Sequence, residues 1–440
     1  KLRHGWDPHD SNLIRTQHQV AEFLQEHALH NKVMQTQEVR QKKEGSPEYD
    51  EAYEDAEQKI LKKSKIVITT CSSAMSHGAL KEIDENLQTK GRKGTRRGRV
   101  QSVTFRSVVV DECAQATEPE VVLCVMRAQD RAILVGDHKQ LGPVVTEHNL
   151  CRAYLSMLER PILERLAERK EQRQRLPSTM LQKQYRMHTS ISRFPSKHFY
   201  NDRLENVENL MLLDAAKSVF PQPSQRVVWI DCDSPHQLGR VIQVGTSRSL
   251  NETVLENNTS LENPGEADVI VEAYKRLLAE RCCTARDVAI ITPYKAQQQY
   301  IERKLNNLPG ALGKNASETA VGTVFSMQGS ERHFVLLSFV RSVAEGWALQ
   351  NLAMQGSETE IRVAVTANNP ALRQTFESHI GIAAKATLLN VALTRAKSGL
   401  VIVGNRTVLS EGSEDFFQLA SDLDDRGNLI GAAQFRANRF

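Results

Sequence analysis

Two adjacent carboxylates, Asp111 and Glu112, close the apolar run Val108–Val110. Hydrolysis of a nucleoside triphosphate uses such a pair. The Asp holds Mg²⁺, often through water, and the Glu orients and deprotonates the attacking water. The next apolar run, Ile133–Val135, ends in Gly136-Asp137-His138-Lys139-Gln140. Here Gly136 permits close backbone approach, and Gln140 can contact a terminal phosphate. Two arginines follow, Arg186 in QYRMH and Arg395 in NVALTRAK. An arginine facing a γ-phosphate stabilises transition-state charge, worth about 10³–10⁵ in rate. Each feature taken singly also has a plain reading: a strand leaving a core, a turn with a basic flank, a surface cation.

These residues need a frame that presents strand ends. Short apolar runs, Ile66–Thr69, Val108–Val110, Ile133–Val135, Val227–Ile230, Val288–Ile291, Val335–Phe339 and Leu400–Val403, alternate with helical stretches. Runs rich in Val and Ile and buried on both faces belong to parallel sheets covered by helices, so the fold class is α/β. Ligands of such sheets bind at the carboxyl ends of the strands. Residues 13–64 read as helical. Ser46-Pro47 is a helix start, with Glu48, Asp50 and Glu51 in or near the first turn and Lys62, Lys63 and Lys65 at the far end. A charged helix, Leu163 to Arg175, gives way to Leu176-Pro177-Ser178. That places a boundary near 171–180 and divides the chain into domains 1–175 and 176–440. Residues 203–226 and 233–264 carry little strand signal and are expected to contain loops.

Composition narrows the class further. At 440 residues the chain has room for two or three domains of about 150 residues. Charged residues make up 25% and the apolar set 40%, which fits a folded globular chain rather than a disordered one. No apolar run approaches the roughly 18 residues of a membrane span. Seven scattered cysteines without a C-x-x-C spacing read as reduced thiols, as expected in the cytoplasm or nucleus. The adjacent Cys282 and Cys283 read as helix packing. Net charge is only +4, but Lys90, Arg92, Lys93, Arg96, Arg97 and Arg99 form a dense basic stretch. It reads either as a solvated loop or as a loop that touches a phosphate backbone.

The strongest signal is order. VVVDECAQATEPE (Val108–Glu120), LVGDHKQLGPVV (Leu134–Val145), QYRMH (Gln184–His188), ITPYKAQ (Ile291–Gln297), VGTVFSMQGSE (Val321–Glu331) and NVALTRAK (Asn390–Lys397) follow one another along the chain. Together they resemble motifs II to VI of superfamily 1 helicases. With the segment Phe194–Tyr200, the wording is most similar to the nonsense-mediated-decay (Upf-like) branch. The resemblance implies two RecA-like parallel-sheet domains, the first carrying a helical insertion at about 13–64, with ATP between them and single-stranded nucleic acid across both. It implies an ATP-dependent RNA or DNA helicase of RNA quality control or decay. Asp111 would be the Mg²⁺ ligand, Glu112 the catalytic base and Gln140 the γ-phosphate sensor. Arg186 and Arg395 would be arginine fingers. Tyr185 would stack on the adenine, Glu331 would face the ribose, and Gly329 lies in the same ATP-binding segment. Pro143, Thr292, Tyr294 and Thr323 would lie along the nucleic acid. The implied partners are single-stranded RNA or DNA and mRNA-decay factors, bound by a monomer.

The pattern breaks in two places. No G-x-x-x-x-G-K-[ST] loop occurs in the sequence; Gly91 to Thr95 is the nearest lookalike and lacks the Gly-Lys-Thr ending. In the family this loop lies upstream of every motif found here, and the chain begins at Lys1. The expectation is therefore a piece of a longer protein that alone turns over ATP weakly. The competing expectation is a nucleic-acid-binding module that keeps the motifs without turnover. The second break is an insert at about 344–379 before Gly381–Asn390, where Thr387 and Leu388 stand in place of two family arginines.

Overall fold

A helix begins where a side chain can satisfy its first free N–H groups, and Ser46 does this: its Oγ accepts from the Tyr49 N–H at 3.2 Å. The computed structural model describes residues 29–76, 104–145, 151–168, 177–222, 224–235, 237–238, 242–243, 253–254, 260–342 and 380–438. The segment expected as one helical stretch is three helices in its described part, α1 (Leu29–Gln35), α2 (Gln37–Arg40) and α3 (Pro47–Lys63). They share a small core of Val33, Val39 and Ala56. Residues 13–28, the basic stretch 90–99 and the insert 344–379 lie outside the described residues.

The chain forms two compact units. The first comprises Lys1–His138 and Gly142–Gln172, the second Lys139–Leu141 and Arg173–Phe440. After α4 (Cys71–Ser76), the first unit pairs β1 (Phe105–Val110) with β2 (Ala128–Leu134) in parallel register. Between them runs α5 (Glu118–Val125). The Glu120 carboxylate caps α5 by accepting from the Thr117 N–H and hydroxyl at 2.8 and 2.9 Å. Val121 and Cys124 of α5 meet Val110, Cys113 and Ile162 in one cluster. Helices α6 (Arg152–Glu159) and α7 (Ile162–Ala167) complete the unit. The charged helix expected to run to Arg175 thus ends by Ala167, and 169–176 are outside the described residues.

One strand expectation fails here. Ile66–Thr69 forms no strand with any of the described residues, and Ile66 and Ile68 are 80% and 69% exposed. An apolar run becomes a strand only when a partner takes up its backbone groups. Nor are both faces of this sheet buried, since Val109 is 62% exposed. Only two strands pair in the unit among the described residues, and its buried cluster gathers around α5.

The second unit has the expected parallel sheet, with the runs at Val227, Val288, Val335 and Leu400 as strands and two further strands beside them. Its sheet has six parallel strands in the order β5–β4–β6–β7–β3–β8. In chain order these are β3 (Val227–Asp231), β4 (Val288–Thr292), β5 (Ala320–Thr323), β6 (Arg332–Ser338), β7 (Ala396–Gly404) and β8 (Leu429–Gly431). Helices α8 (Thr189–Phe199), α9 (Pro264–Ala279), α10 (Lys295–Asn306) and α11 (Ala386–Leu393) accompany it. Alternate residues of each strand feed two cores, one around Trp229, Leu337 and Ile402, the other around Ile230, Ile290 and Leu336. That is how a fully apolar strand is consumed in a parallel sheet.

All seven cysteines are free thiols. Cys282 and Cys283 lie beyond the end of α9, not within a helix as expected. Both thiols sit against the Leu277 carbonyl, and burial raises both pKa values.

Candidate nucleotide and nucleic-acid site

In the first unit, β1 delivers Asp111 and Glu112 at its carboxyl end. Both are exposed. The Glu112 N–H donates to Asp111 Oδ1 at 2.9 Å, and Gln115 Nε2 donates to Glu112 Oε2 at 2.9 Å. Glu112 has φ +50°, a backbone state that non-glycine residues hold only under constraint and that gathers at functional positions. The Cys113 N–H donates to Val135 O at 2.9 Å and ties this turn to the end of β2. Gly136 completes the tie. A Cβ there would stand 3.0 Å from Ala114 N and 3.2 Å from Cys113 N, so the residue must be glycine for the turns to meet.

Two exposed carboxylates at a strand end are hard oxygen donors that suit Mg²⁺, which keeps several of its waters. No group of three or more His, Cys, Asp or Glu converges among the described residues. An ion held by Asp111 would therefore be coordinated largely by water and phosphate.

In the second unit, segments far apart in sequence converge. Gln184 shapes the turn of QYRMH: its Oε1 accepts from the Arg186 and Met187 N–H groups at 3.0 and 2.8 Å. The His188 N–H then donates to Lys397 O at 2.8 Å, fastening the turn to β7. Arg186, so placed, pairs with the Glu331 carboxylate and donates from Nη1 to Thr394 O at 3.1 Å. Lys397 Nζ reaches the other Glu331 oxygen at 2.7 Å. Burial pulls the Glu331 pKa upward, but Lys397 and Arg186 outweigh it and hold the carboxyl below its usual range. Arg395 is nearly buried. It donates to Val391 O at 3.0 Å, Thr394 Oγ1 at 3.2 Å and Ser330 O at 3.4 Å, and lies 3.5 Å from Gln140 Oε1. Gln140 belongs to the short piece Lys139–Leu141 that clusters with this unit. Gly329, at φ +76°, has open space where a side chain would be. Tyr185, next to Arg186 in the turn, is 44% exposed.

The remaining expected residues lie elsewhere. Thr292 ends β4 with its side chain fully buried, and its hydroxyl lies 3.4 Å from the Tyr294 N–H. Tyr294 is nearly buried, while Thr323 is half-buried and forms the turn to Ser326. Pro143 is buried in the first unit. Only Tyr185, Arg186, Glu331, Gly329, Arg395 and Gln140 are thus brought to one place in the second unit. The sequence reading missed Lys397, which stands two residues past Arg395 in NVALTRAK, among the first residues of β7 after the Thr394–Arg395 turn. It also missed the structural duties of Gln184 and Gln297. Gln297 of ITPYKAQ is fully buried and serves the backbone.

Two AAA domain families match the chain, AAA_11 over residues 9–148 and AAA_12 over residues 158–407. The chain is 30% identical to the regulator of nonsense transcripts 1 homolog of Neurospora crassa over 80% of its own length and 25% of that protein's. It is 30% identical to the ATP-dependent helicase upf1 of Schizosaccharomyces pombe over 85% of its length and 32% of that protein's. It is 26% identical to the 3'-5' exoribonuclease HELZ2 of Mus musculus over 86% of its length and 11% of that protein's. The chain spans a third or less of each of these relatives.

Proposed function

Because the chain belongs to the AAA domain family, as a Upf-like superfamily 1 helicase, we propose that it couples ATP hydrolysis to movement along single-stranded RNA or DNA. One observation carries the proposal: QYRMH, the end of VGTVFSMQGSE, NVALTRAK and Gln140 meet at a single group of charges in the second unit. Four segments spread over some 260 residues have no structural need to place two arginines, a lysine and a glutamate together. An ATP-dependent motor does.

In this reading the side chains divide the work. Tyr185 offers its exposed ring to the base, and Glu331 is the acceptor for sugar hydroxyls. Arg186 is held by Glu331 so that its fork is fixed before phosphate arrives, and Arg395 is fixed by backbone carbonyls. Both then neutralise charge without reorganising, which is where most of the electrostatic effect on a phosphoryl transfer arises. In the first unit Asp111 would hold Mg²⁺ and Glu112 would take the proton of the attacking water. Bound there, Mg²⁺ supplies charge neutralisation on the phosphate oxygens.

The assay is phosphate release by the protein as its gene encodes it, with and without a single-stranded oligonucleotide. We expect Mg²⁺-dependent, oligonucleotide-stimulated turnover that E112Q abolishes while nucleotide binding persists. Turnover retained in E112Q would refute Glu112 as the base. The absence of a G-x-x-x-x-G-K-[ST] loop from these 440 residues favours a second reading, a binding module without turnover. Oligonucleotide binding with no hydrolysis in the encoded protein would establish that one instead.

A further inference from the structure

The backbone leaving β6 holds a costly conformation. Val340 sits at φ +71°, a region that a β-branched residue enters only when its surroundings over-determine it. The Arg341 N–H donates across it to Phe339 O at 2.8 Å, which makes a γ-turn of the rare positive-φ kind. Buried side chains fix both peptide groups of Val340. Its N–H donates to Glu266 Oε2 at 2.9 Å, and its carbonyl accepts from Asn263 Nδ2 at 3.1 Å. Ser338 Oγ donates to the same Glu266 oxygen at 2.7 Å and accepts from Gln297 Nε2 at 2.9 Å.

The product of the turn is the position of Arg341. Its Nε donates to the Tyr294 hydroxyl at 2.6 Å, and its guanidinium carbon lies 5.5 Å from the Tyr294 ring centroid. No carboxylate of the described residues pairs with it, and the Tyr294 contact occupies only Nε. Gly381 borders the outer edge: a Cβ there would come within 2.8 Å of Arg341 Nη2. A permanently charged, half-buried guanidinium is thus gripped at its base, meets no carboxylate among the described residues, and has the planar fork that matches a phosphate.

We propose that Arg341 binds a backbone phosphate of single-stranded nucleic acid, with Tyr294 and the Val340 turn holding the guanidinium in place. The proposal rests on the reading above that this protein binds single-stranded nucleic acid. It adds a contact that none of the sequence motifs supplied.

The test is fluorescence anisotropy with a labelled oligouridylate, using the encoded protein between 50 and 200 mM salt. Each phosphate contact on a single strand adds about 0.7 to the slope of log affinity against log salt. R341A is expected to weaken binding and to lower that slope by about one such increment, while R341K retains most of the slope. If R341A does not fold, R341Q, which keeps the stem, is read in the same way. A wild-type protein that binds, with an unchanged slope in R341A or R341Q, overturns the proposal and leaves the helicase reading standing. A wild-type protein that binds no oligonucleotide overturns the helicase reading and this proposal with it.

Discussion

Glu266 has no exposed surface, and burial raises its carboxyl to about 8 from 4.5, against donors from Ser338 and the Val340 and Phe339 backbone. In the unfolded chain the same carboxyl titrates near 4.5. Between these values the folded protein keeps a proton that the unfolded chain releases, so rising pH favours unfolding through the window from about 4.5 to 8. The full cost, about 3.5 pKa units, is on the order of 5 kcal/mol and is reached above pH 8. Between pH 6 and 8 the increment is about 2 kcal/mol. E266Q removes the titration while keeping the shape. We expect its stability, measured by urea unfolding, to fall less over pH 6–8 than that of the wild type, by that increment. Trp229 is the reporter, since it is fully buried in the sheet of the second unit with its indole N–H on Gly404 O at 3.1 Å. Parallel curves for the two proteins would refute the reasoning. They would mean that the donors around Glu266 stabilise the anion enough to cancel its burial.

Two further outcomes follow from the geometry. E331Q leaves Arg186 and Lys397 facing a neutral amide, but all three side chains are partly exposed, so the loss of stability should be small, about 1 kcal/mol by thermal melting. A loss several times larger would mean that the trio is a structural clamp rather than a ligand site. G136A drives a Cβ toward the Ala114 and Cys113 backbone and should destabilise the first unit by about 1–3 kcal/mol. Hydrogen exchange of the β1 and β2 amides reads this directly, and unchanged protection would show that the two strand ends can part without cost.

The second unit was legible because its strands are consumed on both faces. Val227–Ile230, Val288–Ile291 and Leu400–Val403 had to be apolar throughout, and a run of that kind has few other uses. Two strands of the six-stranded sheet escaped notice for the opposite reason. Ala320–Thr323 contains Gly322, whose Cβ would strike Met327 and Ser326, and Leu429–Gly431 is an edge strand of three residues. Ile66–Thr69 carries the same local signal as the true strands. What it lacks is a partner among the described residues, and partners are not written in a local window. The site divides similarly. Strand-end carboxylates and motif arginines announce themselves, whereas Gln297 and Arg341 look like an ordinary helix residue and an ordinary surface cation until the fold sets them against Ser338 and Tyr294.

The energetics around Val340 explain why such residues carry information about function. A strand can leave a sheet in extended conformation at no cost, yet here the exit takes a strained turn worth about 1–3 kcal/mol. It also buries Asn263, Glu266, Gln297 and Ser338, each of which is costly in an apolar interior unless paired. Pairing is achieved, since every one of the four donates to or accepts from another member or the turn itself. The network therefore offsets its own burial and over-determines the turn, but it leaves the core no better filled than apolar residues would. What it changes is direction. Residue 341 is carried back toward the start of α10, where the Tyr294 hydroxyl receives it. A fold that needed only a stable sheet would not build this, so the direction of Arg341 is what the arrangement supplies.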